Sequence, residues 1–194
     1  SLQGLPPKDS PKGFRGKLRN YQQQGLAWLH FLQEFSLGGI LADDMGLGKT
    51  IQLLAFLLDR KLQLQKSKEK RPSIVVVPKS IVFNWMDEAK KFTPKLNVVN
   101  YTGADRNERL AEAKKADLVI TTYATLRLDL KNLKEIEFEC VIADEAQAIK
   151  NPMSLVSKAL KQIKGRYKLA MTGTPIENSL KDLFSIMEFV NPVL

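Results

Sequence analysis

Glycine, lysine and threonine occur together in one segment whose spacing suits a nucleoside triphosphate. Residues 41–52 run Leu-Ala-Asp-Asp-Met-Gly-Leu-Gly-Lys-Thr-Ile-Gln and pass directly into an apolar helical pattern. Glycines allow a backbone to wrap around phosphates, and a helix N-terminus directs free N–H groups at them. A lysine neutralises the β/γ-phosphate charge, and a threonine hydroxyl reaches Mg²⁺. The segment therefore predicts that the chain binds ATP together with Mg²⁺.

The phosphate loop departs from the strict G-x-x-x-x-G-K-T pattern at one position, since Asp43 stands where the first glycine would be. The core Gly46-x-Gly48-Lys49-Thr50 is kept, between a short apolar run and a helical pattern. We expect Lys49 to hold the β/γ-phosphates and Thr50 to ligate Mg²⁺. The predicted ATP-binding residues of this loop are Asp44, Met45, Gly46, Leu47, Gly48, Lys49 and Thr50.

An acidic pair, Asp144-Glu145, follows the apolar run at residues 141–143. Hydrolysis of a phosphate anhydride needs a group that holds the metal and a group that orients or deprotonates water. We expect Asp144 to hold Mg²⁺ through water and Glu145 to act as the general base. A solvated acidic turn is the alternative, and the phosphate loop earlier in the chain favours the catalytic interpretation. Glu145, Lys49 and Asp144 are therefore the predicted catalytic residues.

The elements that must position these residues are short apolar runs that alternate with helical patterns. Continuous apolar runs of this length are typical of strands buried on both faces of a parallel sheet, which predicts an α/β fold. Helices are expected at residues 19–35 and from about residue 49 to 64. Strands are expected at residues 40–42, 74–77, 97–101, 118–120, 141–143 and 169–171.

Small or polar residues follow four of the predicted strands. The segments are Pro78-Lys79-Ser80, Thr121-Thr122-Tyr123, Asp144-Glu145 and Thr172-Gly173-Thr174-Pro175. In open α/β sheets, ligands bind outside the carboxyl ends of the strands. Loops of purely structural origin can also be rich in Thr and Pro, but four of them beside a phosphate loop favour a shared functional edge.

Length and composition limit the remaining possibilities. The chain has 194 residues, which suits one domain or two small ones, and a net charge of +9 with a pI near 9.6. That charge favours a polyanionic partner such as nucleic acid, although a merely soluble basic protein would share it. The charged segment at residues 60–71 is interpreted as a solvated helix end, with a nucleic-acid patch as the alternative. Residues 1–13, rich in Pro and Gly, are predicted to be a flexible arm or linker.

Single occurrences of cysteine and histidine exclude further function classes. With only Cys140 and His30, an internal Cys/His zinc site is excluded, and so is an internal disulfide. Cys140 lies in an apolar run and is expected in the core, while His30 is expected to be a structural helix residue. No apolar run approaches the ~20 residues that span a bilayer, so no membrane association is predicted. An intracellular location, in cytoplasm, nucleoid or nucleus, is expected.

Several segments taken together resemble one known family. Asp144-Glu145-Ala146-Gln147 resembles the DExx box of superfamily-two helicase-like ATPases. Residues 172–178, Thr-Gly-Thr-Pro-Ile-Glu-Asn, resemble the TGTP-x-EN motif of the Swi/Snf branch, and the phosphate loop fits the same branch. The match in order and spacing extends from about residue 14 to 194. Further similar segments lie at residues 18–22, 25–29, 77–80, 84–85 and 120–123.

The resemblance implies that residues 14–194 form the N-terminal RecA-like lobe of a double-stranded DNA translocase, with the second lobe outside this chain. Gln22 would contact the adenine, and Gln147 stands where many relatives carry histidine. Trp85 would pack in the core, with base stacking as the alternative. The second lobe would supply arginines for hydrolysis, so the chain alone is expected to bind ATP weakly and to hydrolyse it very slowly. Residues implied near DNA or in coupling are Lys79, Ser80, Asn84, Thr121, Thr122, Gln147, Thr172 and Thr174.

Two other functions remain open at the level of sequence. An RNA-stimulated ATPase of the same superfamily would share the phosphate loop and the acidic pair, although the Thr-Gly-Thr-Pro-Ile-Glu-Asn run argues against it. A scaffold module that binds ATP without hydrolysis would also share the fold. The presence of both Lys49 and Glu145 argues against the scaffold.

Overall fold

The structure is a computed structural model that describes residues 4–35, 38–42, 48–146, 154–172, 186 and 188–190, with the backbone alone for residues 40–42. Seven helices and six strands alternate along this part of the chain. The helices are α1 Asn20–Glu34, α2 Lys49–Lys66, α3 Val82–Phe92, α4 Leu110–Lys115, α5 Tyr123–Leu128, α6 Leu130–Leu133 and α7 Leu155–Gln162. The strands are β1 Gly39–Ala42, β2 Ser73–Val77, β3 Val98–Asn100, β4 Leu118–Thr122, β5 Glu137–Ala143 and β6 Lys164–Thr172.

The strands form one sheet in the order β1-β6-β5-β2-β4-β3, and every described pair is parallel. Each strand from β1 to β5 is followed by a crossover that returns the chain to the same end of the sheet, and at least one α-helix lies between every two consecutive strands. This is the architecture of a RecA-like α/β domain, as the alternation of apolar runs and helical patterns predicts.

The core lies on both faces of the sheet. Val75 and Val77 of β2 pack with residues of α1, α2 and α3 on one face. Ile74 and Val76 of the same strand pack with residues of α4 to α7 on the other. Because successive side chains of a strand point to opposite faces, a strand covered on both sides must be apolar throughout. None of the described helices is long and apolar enough to cross a membrane.

Two strands begin earlier than the apolar pattern predicts. β5 starts at residue 137 and β6 at residue 164, whereas the apolar runs begin at residues 141 and 169. The extensions carry charged residues, and Glu139 is buried with only 1% of its surface exposed. Its carboxylate accepts hydrogen bonds from Arg60 and Arg71. A charge that is neutralised by distant partners can occupy a buried strand, and an apolar pattern cannot reveal it.

The single cysteine and the single histidine have the structural roles expected of them. Cys140 is fully buried, and burial raises the pKa of its thiol to about 12. His30 packs edge-on against Phe56, with ring centroids 5.3 Å apart, and its Nδ1 lies 3.6 Å from a carboxylate oxygen of Asp59. Burial outweighs the attraction of Asp59 and lowers the pKa of His30 to about 4. The histidine is therefore neutral at pH 7.

The described part of the N-terminal arm lies against α1. The backbone N–H of Lys8 donates to the carbonyl of Gln23 over 3.2 Å, and the side-chain amide of Gln23 donates to Asp9 over the same distance. Farther along, the backbone N–H of Arg15 donates to the carbonyl of Phe92 at the end of α3. The arm thus lies against α1, and the residues directly after it reach α3, which packs on the same face of the sheet.

Candidate active site at the carboxyl edge of the sheet

The predicted site residues meet because the parallel strands end at one edge. Ala42 is paired with Thr172, and Val77 is paired with Thr122. The backbone N–H of Asp144, just after β5, donates to the carbonyl of Val76 over 2.9 Å. The end of β1 that leads into the phosphate loop therefore shares an edge with the acidic pair and with the polar ends of β2 and β4.

Gly48 begins α2 in a conformation that suits glycine. It is the N-cap of the helix with a φ of 86°, in the left-handed region that side chains disfavour. Lys49 and Thr50, both half-buried, are the first residues of the helix. The first turn of the helix therefore lies at the sheet edge, where its N–H groups would donate to phosphate oxygens. Asp44, Met45, Gly46 and Leu47 lie outside the described residues, and their ATP contacts stay predictions.

Gln22 lies beside this turn. It belongs to the first turn of α1, is 6% exposed, and its Oε1 accepts a hydrogen bond of 2.8 Å from the backbone N–H of Arg19. A methyl group placed on Gly48 would collide with Nε2 of Gln22. The residue implied in adenine binding is therefore against the phosphate loop, held by its carbonyl oxygen with its amide nitrogen toward Gly48. The adenine contact itself stays a prediction.

The acidic turn after β5 is held by three hydrogen bonds on Asp144, which is 6% exposed. Its Oδ2 accepts from Nε1 of Trp85 over 2.7 Å, and its Oδ1 accepts from the backbone N–H of Glu145 over 2.8 Å. Its carbonyl oxygen accepts from the hydroxyl of Tyr123 over 2.7 Å. Glu145 itself has a φ of 51°, and such strain is typical of functional turns.

The donor set suits magnesium. Mg²⁺ takes oxygen ligands and is usually held by one or two protein groups together with substrate phosphates. Thr50 offers a hydroxyl at the start of α2, and Asp144 offers a buried carboxylate whose orientation is fixed by N–H donors. These residues fit Mg²⁺ bound with a nucleoside triphosphate.

Three residues that touch or electrostatically influence this turn are not among the predicted site residues. Trp85 is fully buried, as its core-packing interpretation predicts, but its indole N–H also contacts Asp144. Tyr123 ends the Thr-Thr-Tyr run, where only the threonines have a predicted role. The pKa of Glu88 in α3 is raised, mainly by burial, with the charges of Asp87 and Asp144 adding to it and Lys91 opposing. The available signal was that Trp85 and Tyr123 lie in the family-like segments at residues 84–85 and 120–123, directly after predicted contact residues.

The residues implied near DNA divide into two groups. Lys79, Ser80 and Asn84 are exposed, on the turn after β2 and the first turn of α3. Thr121 differs from them, because its hydroxyl is fully buried and donates to the carbonyl of Tyr101 over 2.8 Å; its place near DNA stays a prediction.

The remaining threonines of this set are also largely enclosed where they are described. The hydroxyl of Thr122 accepts from the backbone N–H of Thr125 over 3.1 Å and so caps α5. Thr172 is buried at the end of β6. A side chain whose polar atoms are used within the protein positions its neighbours and has little capacity left for a ligand. Gln147 and Thr174 lie outside the described residues.

Comparison with known proteins identifies relatives of the whole chain. A family model described as the SNF2-related domain matches residues 21–194. A solved structure of the Sulfolobus solfataricus SWI2/SNF2 ATPase core in complex with dsDNA superposes with a TM-score of 0.83 at 42% identity. That match covers 97% of this chain and 38% of the Sulfolobus chain.

Two curated proteins show the range of the relatives. An uncharacterised ATP-dependent helicase of Mycoplasma pneumoniae is 46% identical over 90% of this chain, and the TATA-binding protein-associated factor MOT1 of Saccharomyces cerevisiae is 37% identical over 96%. The chain spans only 17% of the first protein and 10% of the second. The similarity therefore concerns one part of much longer proteins.

Proposed function

Since this chain belongs to the SNF2-related domain family, we propose that it is the first RecA-like lobe of an ATP-driven motor that moves along double-stranded DNA. The observation that carries this proposal is the shared edge of the sheet. Gln22 and the start of α2 meet there with the acidic turn at Asp144, and exposed Lys79 follows the adjacent strand. One edge thus offers a nucleotide site and a basic surface next to it.

In this function the chain binds ATP and activates water. Gln22 recognises the adenine edge, while Lys49 and the N–H groups at the start of α2 neutralise the β/γ-phosphates. Mg²⁺, held by Thr50 and Asp144, would supply further positive charge at the phosphates. Glu145 accepts a proton from the attacking water as general base. A Glu145→Gln change that left ATP hydrolysis by the longer protein unaltered would favour a non-hydrolysing scaffold instead.

Efficient hydrolysis is proposed to require a second lobe. The chain spans 38% of the Sulfolobus ATPase core, which leaves room for another domain of similar size. Arginines supplied from such a lobe would stabilise the transferred phosphoryl group, and an arginine finger is worth roughly 10³–10⁵ in rate. We expect the 194-residue chain alone to bind ATP weakly and to hydrolyse it very slowly. Steady-state turnover of several per second, with or without duplex DNA, would contradict this.

DNA binding is proposed to use the phosphate backbone. The net charge of +9 attracts the phosphates, and the exposed side chains of Lys79, Ser80 and Asn84 supply hydrogen-bond donors. Such donors position the DNA backbone without reading the bases. Affinity for duplex DNA should therefore fall steeply with salt. Lys79→Ala should reduce the slope of log affinity against log salt concentration by about one. An affinity for duplex DNA that does not change with salt concentration would overturn this assignment. So would ATP hydrolysis by the longer protein that is stimulated by RNA and not by duplex DNA.

A further inference from the structure

Two hydrogen bonds connect the candidate DNA surface to the candidate metal ligand. Trp85 directly follows the exposed Asn84 in α3, and its indole N–H donates to the Asp144 carboxylate. Tyr123 directly follows Thr122 at the start of α5, and its hydroxyl donates to the Asp144 carbonyl. Helices α3 and α5, which lie after the polar ends of β2 and β4, therefore both contact Asp144 near their first turns.

Trp85 fixes the direction of the carboxylate. Its side chain is fully enclosed by the apolar cluster that joins α1, α2 and α3 to the sheet, so the ring has one position. The indole N–H is a donor only, and it donates to Oδ2 of Asp144 over 2.7 Å. With the backbone N–H of Glu145 on Oδ1, both carboxylate oxygens have a set orientation. Such second partners orient the ligands of metal sites.

Tyr123 fixes the backbone of the same residue from the opposite face. It belongs to the apolar cluster that contains α4 to α7, whereas Trp85 belongs to the cluster on the other side. The hydroxyl of Tyr123 donates to the carbonyl oxygen of Asp144 over 2.7 Å. Its bond to the carbonyl of Asp144 sets the start of the strained turn at Glu145.

We propose that Trp85 and Tyr123 are positioning residues that hold Asp144 for Mg²⁺·ATP and pass movements of α3 and α5, caused by bound DNA, to that carboxylate. The inference rests on the proposed function, since it assigns Asp144 to the metal. Coupling of this kind is reciprocal, so DNA that strengthens Mg²⁺·ATP binding must be bound more tightly in its presence. Neither side chain touches the nucleotide in this scheme.

The test compares two variants that remove one donor each while keeping the ring. Trp85→Phe removes the indole N–H, and Tyr123→Phe removes the hydroxyl. Trp28→Phe is a matched control, because Trp28 stacks on Phe31 in α1. Tyr101→Phe is the second control, because it removes another buried hydroxyl that donates to a carboxylate, that of Asp129, over 2.8 Å.

The measurement is the affinity of the 194-residue chain for a fluorescent ATP analogue in Mg²⁺ and in EDTA, each with and without duplex DNA. Loss of a partner of a metal ligand typically costs about 10- to 100-fold in metal affinity or activity. Mg²⁺ should raise the affinity for the ATP analogue over that in EDTA, and we expect Trp85→Phe to reduce this increase by at least about 10-fold. The affinity measured in EDTA should be unchanged. Tyr123→Phe should do the same to a smaller extent. The ratio of Mg²⁺·ATP affinities with and without duplex DNA should approach one in Trp85→Phe and Tyr123→Phe. In both controls this ratio should match that of the unaltered chain.

Different results separate this inference from the function on which it rests. If the unaltered chain shows no Mg²⁺-dependent ATP binding, both fail. If it does, but Trp85→Phe and Tyr123→Phe match their controls, only the positioning role is overturned. Equal losses in Mg²⁺ and EDTA would also overturn it, because they indicate general damage to the fold. Should Trp85→Phe fail to fold, Tyr123→Phe alone decides between these results.

Discussion

Glu139→Gln should destabilise this chain more than any comparable change on the same strand. The Glu139 carboxylate is 1% exposed and accepts hydrogen bonds from Arg60 at 2.8 and 3.1 Å and from Arg71 at 3.3 Å. The two guanidinium groups are themselves 13% and 14% exposed. Glutamine keeps the size of the side chain but removes the charge, so Arg60 loses this carboxylate partner while Arg71 is left with Glu69, 3.4 Å away.

The magnitude follows from this geometry. Breaking a buried ion pair by removing one partner costs about 3–5 kcal/mol, because an uncompensated charge stays buried. The amide oxygen of glutamine still accepts from one arginine, and both arginines retain some contact with water. We therefore expect the free energy of unfolding to fall by about 3 kcal/mol, near the lower end of that range. For a chain of this size, such a change lowers Tm by about 6–12 °C.

Urea denaturation of the 194-residue chain, followed by circular dichroism, measures the change. Glu137→Gln is the matched control, because Glu137 lies two residues earlier in β5 and is exposed. An exposed substitution of this kind changes stability by about 0.5 kcal/mol or less. If the two variants differed by less than about 1 kcal/mol, the argument that Glu139 neutralises buried arginines would be refuted.

Two further variants test the site and the pH response. Gly48→Ala should lower the free energy of unfolding by about 1–2 kcal/mol, because φ is 86°, and should weaken ATP binding by displacing Gln22. Gly103→Ala is the control, because Gly103 has a similar φ of 90° at a distant position in the chain. It should lower the free energy of unfolding, measured in urea, by a similar amount but leave the affinity for ATP unchanged. Because burial lowers the pKa of His30 from 6.5 to about 4, the unfolded chain binds more protons between these values. Stability should therefore fall as the pH drops through this window, by about 2–3 kcal/mol more than in His30→Gln, as measured by urea denaturation at pH 7 and pH 4.5.

The main features of the fold were predictable from local patterns. The apolar run at residues 74–77 corresponds to β2, Ser73–Val77, because a strand covered on both faces has no polar alternation. The meeting of Lys49 with the acidic turn at one edge also followed, since parallel strands must all end on the same side. Helix α2 begins at Lys49 as the phosphate-loop pattern predicts, with Gly48 as its N-cap in a left-handed conformation that glycine tolerates.

What the sequence by itself determined is therefore the class of fold, the order of its elements and the edge at which chemistry is possible. Each depends on the period of the apolar pattern or on which residues follow a strand, and both are local properties. Only the tertiary structure decided that the indole N–H of Trp85 donates to Asp144, 59 positions away, and that Thr121 is turned into the protein. It alone showed that Arg60 and Arg71 allow Glu139 to be buried. These are single contacts between distant residues with no repeat along the chain, so they exist only once the helices and strands have packed together.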